Sequence, residues 1–396
     1  HRFSATLKTS VKAYNTTYDA VQNLLTINGL PYRDLLNHNF KRLENQTDWD
    51  LNKKLQAVFG IGAVWEGVKS SRYDSEKVRK QNEIQYAFTQ WEWKPTEKFT
   101  LISGLRFDNN SQFASAYSPK LSMLYKLNPQ HQFKLSVGQG FKAPDFRQLF
   151  LDFTNAAAGS YSVFGVAQAQ QVIAKLDALG QIGNLFPSYY QLKALKPEYS
   201  TGIHFTWDWK INSRSNLSVQ LFRNDIKNLI ESQQVGTYIS GAQIYSYLNI
   251  GRAFTTGFEL EGQHKLNKDW TVSGGYQYLV TGDKDQIAEI KSGTVYTKNS
   301  QGYSRLMQMN EYVGLPNTSK HKLQLKLNYN SPKGYYLNVR AIYRSRWAVN
   351  NNNGNEVFDN GDVFASGYVA FNSAAGKSFK NGLSVQAGIE DRKSVV

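Results

Sequence analysis

The feature that most constrains this chain is a two-residue alternation of apolar and polar side chains, repeated along nearly its whole length. In one example, Ile203, Phe205, Trp207 and Trp209 alternate with small or polar residues. Successive side chains of a β-strand point to opposite faces of its sheet. The alternation therefore predicts strands that have one apolar and one polar face.

The alternating segments often exceed ten residues. Strands of soluble proteins commonly have about five or six residues, whereas a tilted strand needs about 9–11 to cross a bilayer. We predict about fifteen such strands, centred near residues 9, 45, 60, 87, 103, 121, 135, 204, 222, 255, 275, 323, 340, 370 and 386.

The connections between these strands alternate in length. Short turns lie near residues 95, 129, 213, 268, 331 and 379, and the longer polar segments between them are 18–40, 70–81, 142–197, 231–243, 283–316 and 348–365. Short turns on one rim and long loops on the other are typical of outer-membrane barrels. We therefore predict an all-β chain forming a transmembrane antiparallel β-barrel, with Trp207 and Trp209 facing lipid and His204, Thr206 and Asp208 facing the lumen.

Composition agrees with this prediction and removes some alternatives. The mean hydropathy is −0.51, and no run reaches the roughly 18 apolar residues of a membrane-spanning helix. Aromatic residues make up 14% of the chain, which a soluble β-protein with an aromatic core would also allow. With no cysteine, the chain has no disulfide or thiolate metal site. The net charge of +15 is spread along the chain and not concentrated in one tract, which argues against a nucleic-acid partner.

One long segment contains a helical pattern. Within 142–197, Val172, Ile173, Leu176 and Leu179 recur at helical spacing from Ala169 onward, and Gly180 follows. Glycine is the usual residue just beyond a helix end. We predict a short amphipathic helix that packs this loop on itself, with ligand gating as a second possible role.

Two motifs flank this segment, and three further pieces follow the same order as in a known family. The first motif includes Gly140, Phe141, Lys142, Ala143 and Pro144, and the second includes Leu195, Lys196, Pro197 and Glu198. The other pieces are 117–122, 249–261 (with Gly257) and 315–321. Together they resemble the barrel of TonB-dependent receptors over about 270 residues. Their physical role is mainly structural: proline ends strand pairing, and Gly257 indicates a bend or a close approach to whatever fills the lumen.

The resemblance implies a fold larger than the covered sequence. Barrels of this family have twenty-two strands, an internal plug domain and an N-terminal box that engages the energy-coupling protein. We therefore expect residues 1–390 to form a partial barrel of about fifteen strands without the plug, open at 3–11 and 383–389. Residues 391–396 match no strand pattern and lack the family's terminal aromatic residue, so we interpret them as a non-native tail.

The function implied by the resemblance is TonB-dependent uptake of a metal chelate, either a ferric siderophore or haem. Cobalamin and oligosaccharide uptake remain alternatives, as do a passive porin and an outer-membrane enzyme barrel. We find no nucleophile elbow, metalloprotease helix or phosphate-binding loop, so we expect no enzyme activity and no cofactor. The implied partners are the TonB complex, outer-membrane lipid with lipopolysaccharide, and the chelate itself.

The candidate ligand-binding residues come mainly from the long segment 142–197. Its aromatic and basic side chains suit an anionic, ring-containing chelate, and the candidates are Arg147, Tyr161, Tyr189, Tyr190 and Lys193. His38, which we place in an outer loop, could bind haem iron, although a solvated histidine explains it as well. Haem receptors of the family have a histidine between the two motifs, and its absence from 145–197 argues against haem.

The Asn- and Asp-rich segment 350–362 offers many oxygen atoms. These could bind calcium, but Asn-Gly turns in a polar loop explain the composition equally simply.

Overall fold

The computed structural model describes residues 1, 3–25, 31–73, 78–155, 161–299, 301–352 and 354–391. All fifteen predicted strands are present in these ranges. They are β1 (Leu7–Leu25), β2 (Pro31–Asn52), β3 (Leu55–Ser70), β4 (Lys80–Thr96), β5 (Phe99–Asn110), β6 (Ala116–Lys126), β7 (His131–Lys142), β11 (Glu198–Lys210), β12 (Ser215–Tyr238), β13 (Gln243–Lys265), β14 (Trp270–Asp283), β17 (His321–Asn330), β18 (Tyr335–Arg344), β21 (Tyr368–Ser378) and β22 (Ser384–Glu390).

These fifteen strands form one wall by pairing with their neighbours in chain order, always antiparallel. Among the described residues no ladder joins β1 to β22. The wall is therefore an open sheet, with the two edges that the sequence predicted.

The smaller elements lie in the long connections. They are α1 (Phe146–Phe150), β8 (Asp152–Thr154), β9 (Tyr161–Phe164), α2 (Val166–Ala178), β10 (Ile182–Leu185), α3 (Pro187–Tyr190), α4 (Lys284–Ser292), β15 (Tyr296–Lys298), β16 (Ser304–Leu306), a 3₁₀ turn (Met309–Glu311), β19 (Trp347–Asn350) and β20 (Val363–Ala365). Within the described part of the chain, no helix is both long and apolar enough to span a membrane.

The register of the wall sorts side chains into two continuous faces. On one face Val137, Ile203 and Arg223 are cross-strand neighbours, followed toward the short turns by Leu135, Phe205 and Leu221. The apolar members of this face are largely exposed, as Ile203 (48%) and Leu221 (51%) illustrate. In an outer-membrane barrel such a face contacts lipid, and we call it the apolar face.

The opposite face is polar, and both predictions about β11 are confirmed. Trp207 and Trp209 lie on the apolar face and stack on each other with ring centroids 5.6 Å apart. Asp208 lies on the polar face, where it accepts hydrogen bonds from Ser218 and Gln132 and forms an ion pair with Lys134 at 2.7 Å.

Two predicted loops are shorter than the sequence indicated. Residues 18–25 and 31–40 belong to β1 and β2, whose ladder runs unbroken from Leu7↔Trp49 to Leu25↔Pro31. Most of 231–243 likewise belongs to β12 and β13. These segments contain apolar residues in irregular order, such as Leu35 and Leu36 in succession, so they lack the apolar alternation, but a long hairpin satisfies their backbone groups without it.

The predicted helix is confirmed as α2, which begins three residues earlier than predicted. Gly180 follows it with φ of 66°, the left-handed conformation expected beyond a helix end. Ile173 is fully buried, but Leu179 is 62% exposed and does not belong to the apolar side of the helix as predicted.

Of the tail that we interpreted as non-native, 392–396 lies outside the described residues. Asp391 is the last residue described, and its N–H donates to the carbonyl of Phe371 at 3.2 Å.

Candidate functional site

The segment 142–197 folds onto the part of β12 and β13 that extends beyond the wall. β9 pairs in parallel with β13, from Tyr161↔Gln243 to Phe164↔Ser246. β10 pairs antiparallel with β12 at Leu185↔Gly236. The long segment is therefore a packed unit and not a loose loop.

A cluster of buried apolar side chains, which we call the outer core, holds this unit together. Its members are Phe164, Val166, Ala169, Ile173, Leu192, Leu195, Ile230, Val235, Ile244, Tyr247 and Leu248. Ile173 from α2, Val235 from β12 and Ile244 from β13 are each 0% exposed. Three separate stretches of chain thus meet in one core.

The connection between β3 and β4 packs against the same unit. The N–H of Asp152 donates to the carbonyl of Arg72 at 2.6 Å, and the Arg72 guanidinium lies 4.6 Å from the centre of the Phe153 ring. Burial raises the pKa of the neighbouring Tyr73 hydroxyl, and the charge of Asp145 raises it further. The uncharged phenol of Tyr73 thus forms part of the contact.

Two of the six candidate ligand residues line one cleft on this unit. The cleft has a volume of about 420 Å³ and is bounded by Tyr190, Gln191, Leu192, Lys193, Leu248 and Asn249. Tyr190 is 74% exposed, and its ring meets that of Tyr189 edge-on at 5.2 Å. Tyr189 itself packs against the outer core. An aromatic surface, a cation and amide groups thus converge at a site fixed by buried neighbours.

Two other candidates lie elsewhere in the unit. Tyr161 contacts Phe153 and Tyr245 with ring centres 6.1 and 6.4 Å apart. Arg147 lies in α1. Burial raises the pKa of Tyr73 and Tyr247, and the positive charge of Arg147 offsets part of this rise. Neither residue lines the cleft around Tyr190.

His38 does not lie in an outer loop, so that prediction is wrong. It is part of β2, paired with Tyr18 of β1 and Val68 of β3. Its Nε2 is 2.7 Å from Oε1 of Glu66, also on the polar face. Long hairpin pairing places this residue in the wall, and its ring nitrogen already has a carboxylate partner.

The two family-like motifs meet at the junction between the wall and the outer unit. Lys142 and Glu198 are cross-strand neighbours, and Lys142 Nζ donates to Glu198 Oε1 at 3.1 Å. The same oxygen accepts the N–H of Ile230 at 2.9 Å. The carbonyls of Lys196 and Pro197 accept from Asn249 at 2.9 Å and from Asn228 at 3.2 Å. The motif residues therefore anchor the outer unit, in agreement with a structural role.

Asn228 is a residue of this junction that the sequence analysis missed. It has φ of 56°, in the left-handed region that favours glycine and asparagine. A signal was present: Leu229 and Ile230, two consecutive apolar residues, break the alternation immediately after it.

Close approach at two glycines involves backbone and side-chain atoms of the chain itself. A Cβ on Gly257 would lie 2.0 Å from the carbonyl oxygen of Tyr278 and 3.1 Å from the Phe222 ring. On Gly251 it would lie 1.7 Å from a carboxylate oxygen of Asp285, which also pairs with Arg252. Neighbouring strands therefore require glycine at position 257.

The Asn- and Asp-rich segment forms a hydrogen-bond network of its own. Asp359 is 1% exposed and accepts from Thr297 Oγ1 at 2.6 Å and from the N–H of Gly361 at 2.7 Å. Asp362 accepts from the N–H groups of Asn352 and Asp359. Among the described residues, no group of three or more His, Cys, Asp or Glu side chains is arranged to hold a metal ion. Hydrogen bonds within the chain thus engage the carboxylates of Asp359 and Asp362.

Comparison with known proteins gives consistent matches. The family model described as "TonB dependent receptor-like, beta-barrel" matches residues 1–391. The iron-regulated outer membrane virulence protein of Vibrio cholerae is 24% identical over 229 residues, which are 56% of this chain and 31% of that protein. The ferrienterobactin receptor of Escherichia coli is 26% identical over 225 residues, 54% of this chain and 27% of that protein.

A solved structure of a ferric enterobactin receptor variant from Pseudomonas aeruginosa has the same fold. It matches with a TM-score of 0.64 at 16% identity, covering 97% of this chain and 53% of that one. The alignments thus span about a third of the length of the curated relatives and about half of the solved structure.

Proposed function

Because this chain belongs to the TonB-dependent receptor family of outer-membrane β-barrels, we propose that it serves the active import of a metal chelate. The observation that supports this proposal is the cleft beside Tyr190, which is held by the outer core and open to solvent. A preorganised site loses little entropy on binding, which favours capture of a scarce ligand.

The cargo that we propose is a ferric siderophore, with haem as the second candidate. Relatives are described as iron-regulated and as a ferrienterobactin receptor. Tyr190 offers a ring face and Lys193 a cation, a combination that suits an anionic chelate with aromatic rings. Haem is less favoured because 145–197 contains no histidine and His38 already bonds to Glu66. Cobalamin and oligosaccharide remain weaker alternatives.

The rest of the transport cycle is proposed from the family. A plug inside the barrel and the TonB complex would supply the gate and the energy, and outer-membrane lipid with lipopolysaccharide would surround the apolar face. We propose no enzymatic role for the chain itself. A passive porin is the competing function, and it would require neither energy coupling nor a selective outer site.

The test uses the reading frame that encodes this chain, expressed in the outer membrane of a strain without its own siderophore receptors. Binding and uptake of radiolabelled ferric enterobactin and of haemin are measured for wild type and for the double variant Tyr190→Ala with Lys193→Gln. We expect the affinity for one of these two ligands to be at least tenfold lower in the variant than in the wild type, a loss of about 1.4 kcal/mol of binding free energy. Uptake should also stop when the proton-motive force is dissipated.

A matched control comes from another outer loop. Tyr303 is 72% exposed and Lys298 is also exposed, so Tyr303→Ala with Lys298→Gln makes the same chemical change elsewhere. Equal losses in both variants would contradict a site at Tyr190. Uptake that continues without the proton-motive force would contradict active import.

A further inference from the structure

The two rims of the wall differ sharply in charge. Seven short turns close one rim, between β2 and β3, β4 and β5, β6 and β7, β11 and β12, β13 and β14, β17 and β18, and β21 and β22. Taken with two strand residues on either side, they contain eleven Lys or Arg against two Asp or Glu. The seven connections of the other rim, defined in the same way, contain eighteen against thirteen in about three times as many residues. The positive excess is therefore concentrated at the short turns.

Several lysines at or beside this rim are joined to one another by backbone hydrogen bonds between adjacent strands. The N–H of Lys94 donates to the carbonyl of Lys54 at 2.7 Å, and that of Lys126 to the carbonyl of Lys98 at 2.8 Å. Like charges on adjacent strands destabilise a sheet. Of these four lysines, only Lys94 forms an ion pair within the described residues, with Glu92. Such spacing is favourable when an anion from outside the chain lies between the cations.

Aromatic residues place this rim at the surface of the membrane. Trp93, Tyr125 and Trp209 lie on the apolar face at the short-turn ends of their strands, and Lys94, Lys126 and Lys210, one residue further, lie on the polar face. Tryptophan and tyrosine on the lipid side of a barrel concentrate at the headgroup level. Lys54 and Lys98 lie in the adjoining turns, and a lysine stem can extend its ammonium group to the same level.

From these observations we propose that the short-turn rim is a binding surface for anionic phospholipid of the inner leaflet. Lys54, Lys98 and Lys268 lie in the short turns, at the level where phosphate groups lie, and they are exposed. An anionic lipid such as phosphatidylglycerol brings a net negative charge to them. Zwitterionic phosphatidylethanolamine brings its own ammonium group, which the lysines repel.

This lipid surface is independent of the cargo site, since it involves the opposite end of the wall. The proposal predicts that anionic lipid is enriched around the short-turn rim. This lipid then sets the depth at which the wall lies in the membrane. High salt should weaken the preference, because exposed charges are screened within about 3 Å at 1 M ionic strength.

The test uses tryptophan fluorescence, since six of the eight tryptophans lie on the short-turn side of the apolar face: Trp49, Trp91, Trp93, Trp207, Trp209 and Trp270. The protein encoded by the complete reading frame is folded into phosphatidylcholine vesicles containing either brominated phosphatidylglycerol or brominated phosphatidylethanolamine. Bromine quenches tryptophan only in contact, so the amount of each lipid that gives half-maximal quenching compares their binding. We expect at least a threefold preference for phosphatidylglycerol in the wild type.

The variant removes three turn cations by Lys54→Gln, Lys98→Gln and Lys268→Gln, and its preference should fall below about 1.5-fold. A matched control replaces three exposed lysines of the other rim: Lys175→Gln, Lys291→Gln and Lys298→Gln. It should keep the wild-type preference, and heat-modifiable gel mobility should show both variants folded. Equal quenching by the two lipids in the wild type would overturn the proposal. So would a preference that survives in the rim variant or disappears in the control.

Discussion

The wall and the outer unit of this chain are stabilised in different ways. In the wall, side chains alternate between an exposed apolar face and a polar face, and each inner strand pairs with its neighbours in the sequence. In the outer unit, residues from 164 to 248 converge on one core. Of the described side chains, the largest fully buried ones, Ile173, Ile244, Val235 and Val357, all lie in the outer region. Most of the interior packing of the kind found in soluble proteins thus lies in the outer region.

Because of this difference, we expect that a mutation can unfold one of the two regions without unfolding the other. Backbone ladders and lipid maintain the wall, and no single side chain is decisive there. The outer unit depends on a few buried residues, each of which contacts several segments. Mutations that disorganise the outer unit should therefore abolish ligand capture while the barrel persists.

The largest expected effect is that of Ile173→Ala. Truncating a fully buried isoleucine leaves a cavity and costs about 2–5 kcal/mol. We expect loss of hydrogen-exchange protection across α2 and β10 and loss of ligand binding, with unchanged heat-modifiable mobility of the barrel. The control is Leu179→Ala on the same helical segment, where the side chain is 62% exposed and the cost should stay within about 0.5 kcal/mol. If both regions of the molecule lost protection together, the separation drawn here would be wrong.

Sequence analysis succeeded where the information is local. Fifteen strands and α2 were located because their periodicity is visible within about ten residues. It failed for the outer ends of β1, β2, β12 and β13, where apolar and polar residues do not alternate regularly and the sequence resembles a loop. It also misplaced His38 for this reason.

The site was less predictable than the wall because it depends on contacts distant in sequence. Tyr190 and Lys193 were chosen from composition, but their shared cleft needs Leu248 and Asn249, more than fifty positions away. Nothing in the local pattern at Arg72 or Tyr73 indicated that they pack on the outer unit. The left-handed backbone conformation of Asn228 was indicated only indirectly, by the break in alternation that follows it.

A second, intermediate effect is expected at the junction between the two regions. Glu198 accepts the N–H of Ile230 and pairs with Lys142, whose side chain is 56% exposed. Glu198→Ala leaves that N–H without its acceptor and should cost about 1–3 kcal/mol. Glu198→Gln keeps an acceptor oxygen and loses only the partly exposed ion pair, so about 0–1 kcal/mol is expected. The hydrogen-exchange protection of the Ile230 amide measures the loss of stability in each variant. Equal losses in the two variants would show that the ion pair with Lys142, and not the hydrogen bond from Ile230, stabilises the junction.

The smallest expected effect is a dependence on pH within the loop after α4. The guanidinium of Arg305 donates to Glu311 and holds the pKa of that carboxyl down to about 2, from an ordinary value of 4.5. A lowered pKa in the folded state stabilises the fold above the ordinary value, and this contribution is lost as pH falls through about 2. Burial raises the pKa of Asp283 in the same region, which has the opposite sign and favours the fold at lower pH. Because Glu311 and Arg305 form a partly exposed pair, we expect protection factors of 304–312 to fall by less than about tenfold between pH 5 and pH 2.5. The wall should not change, and Glu311→Gln should remove the dependence. A pH response of the same size in that variant would place its origin at Asp283 or elsewhere in the outer region.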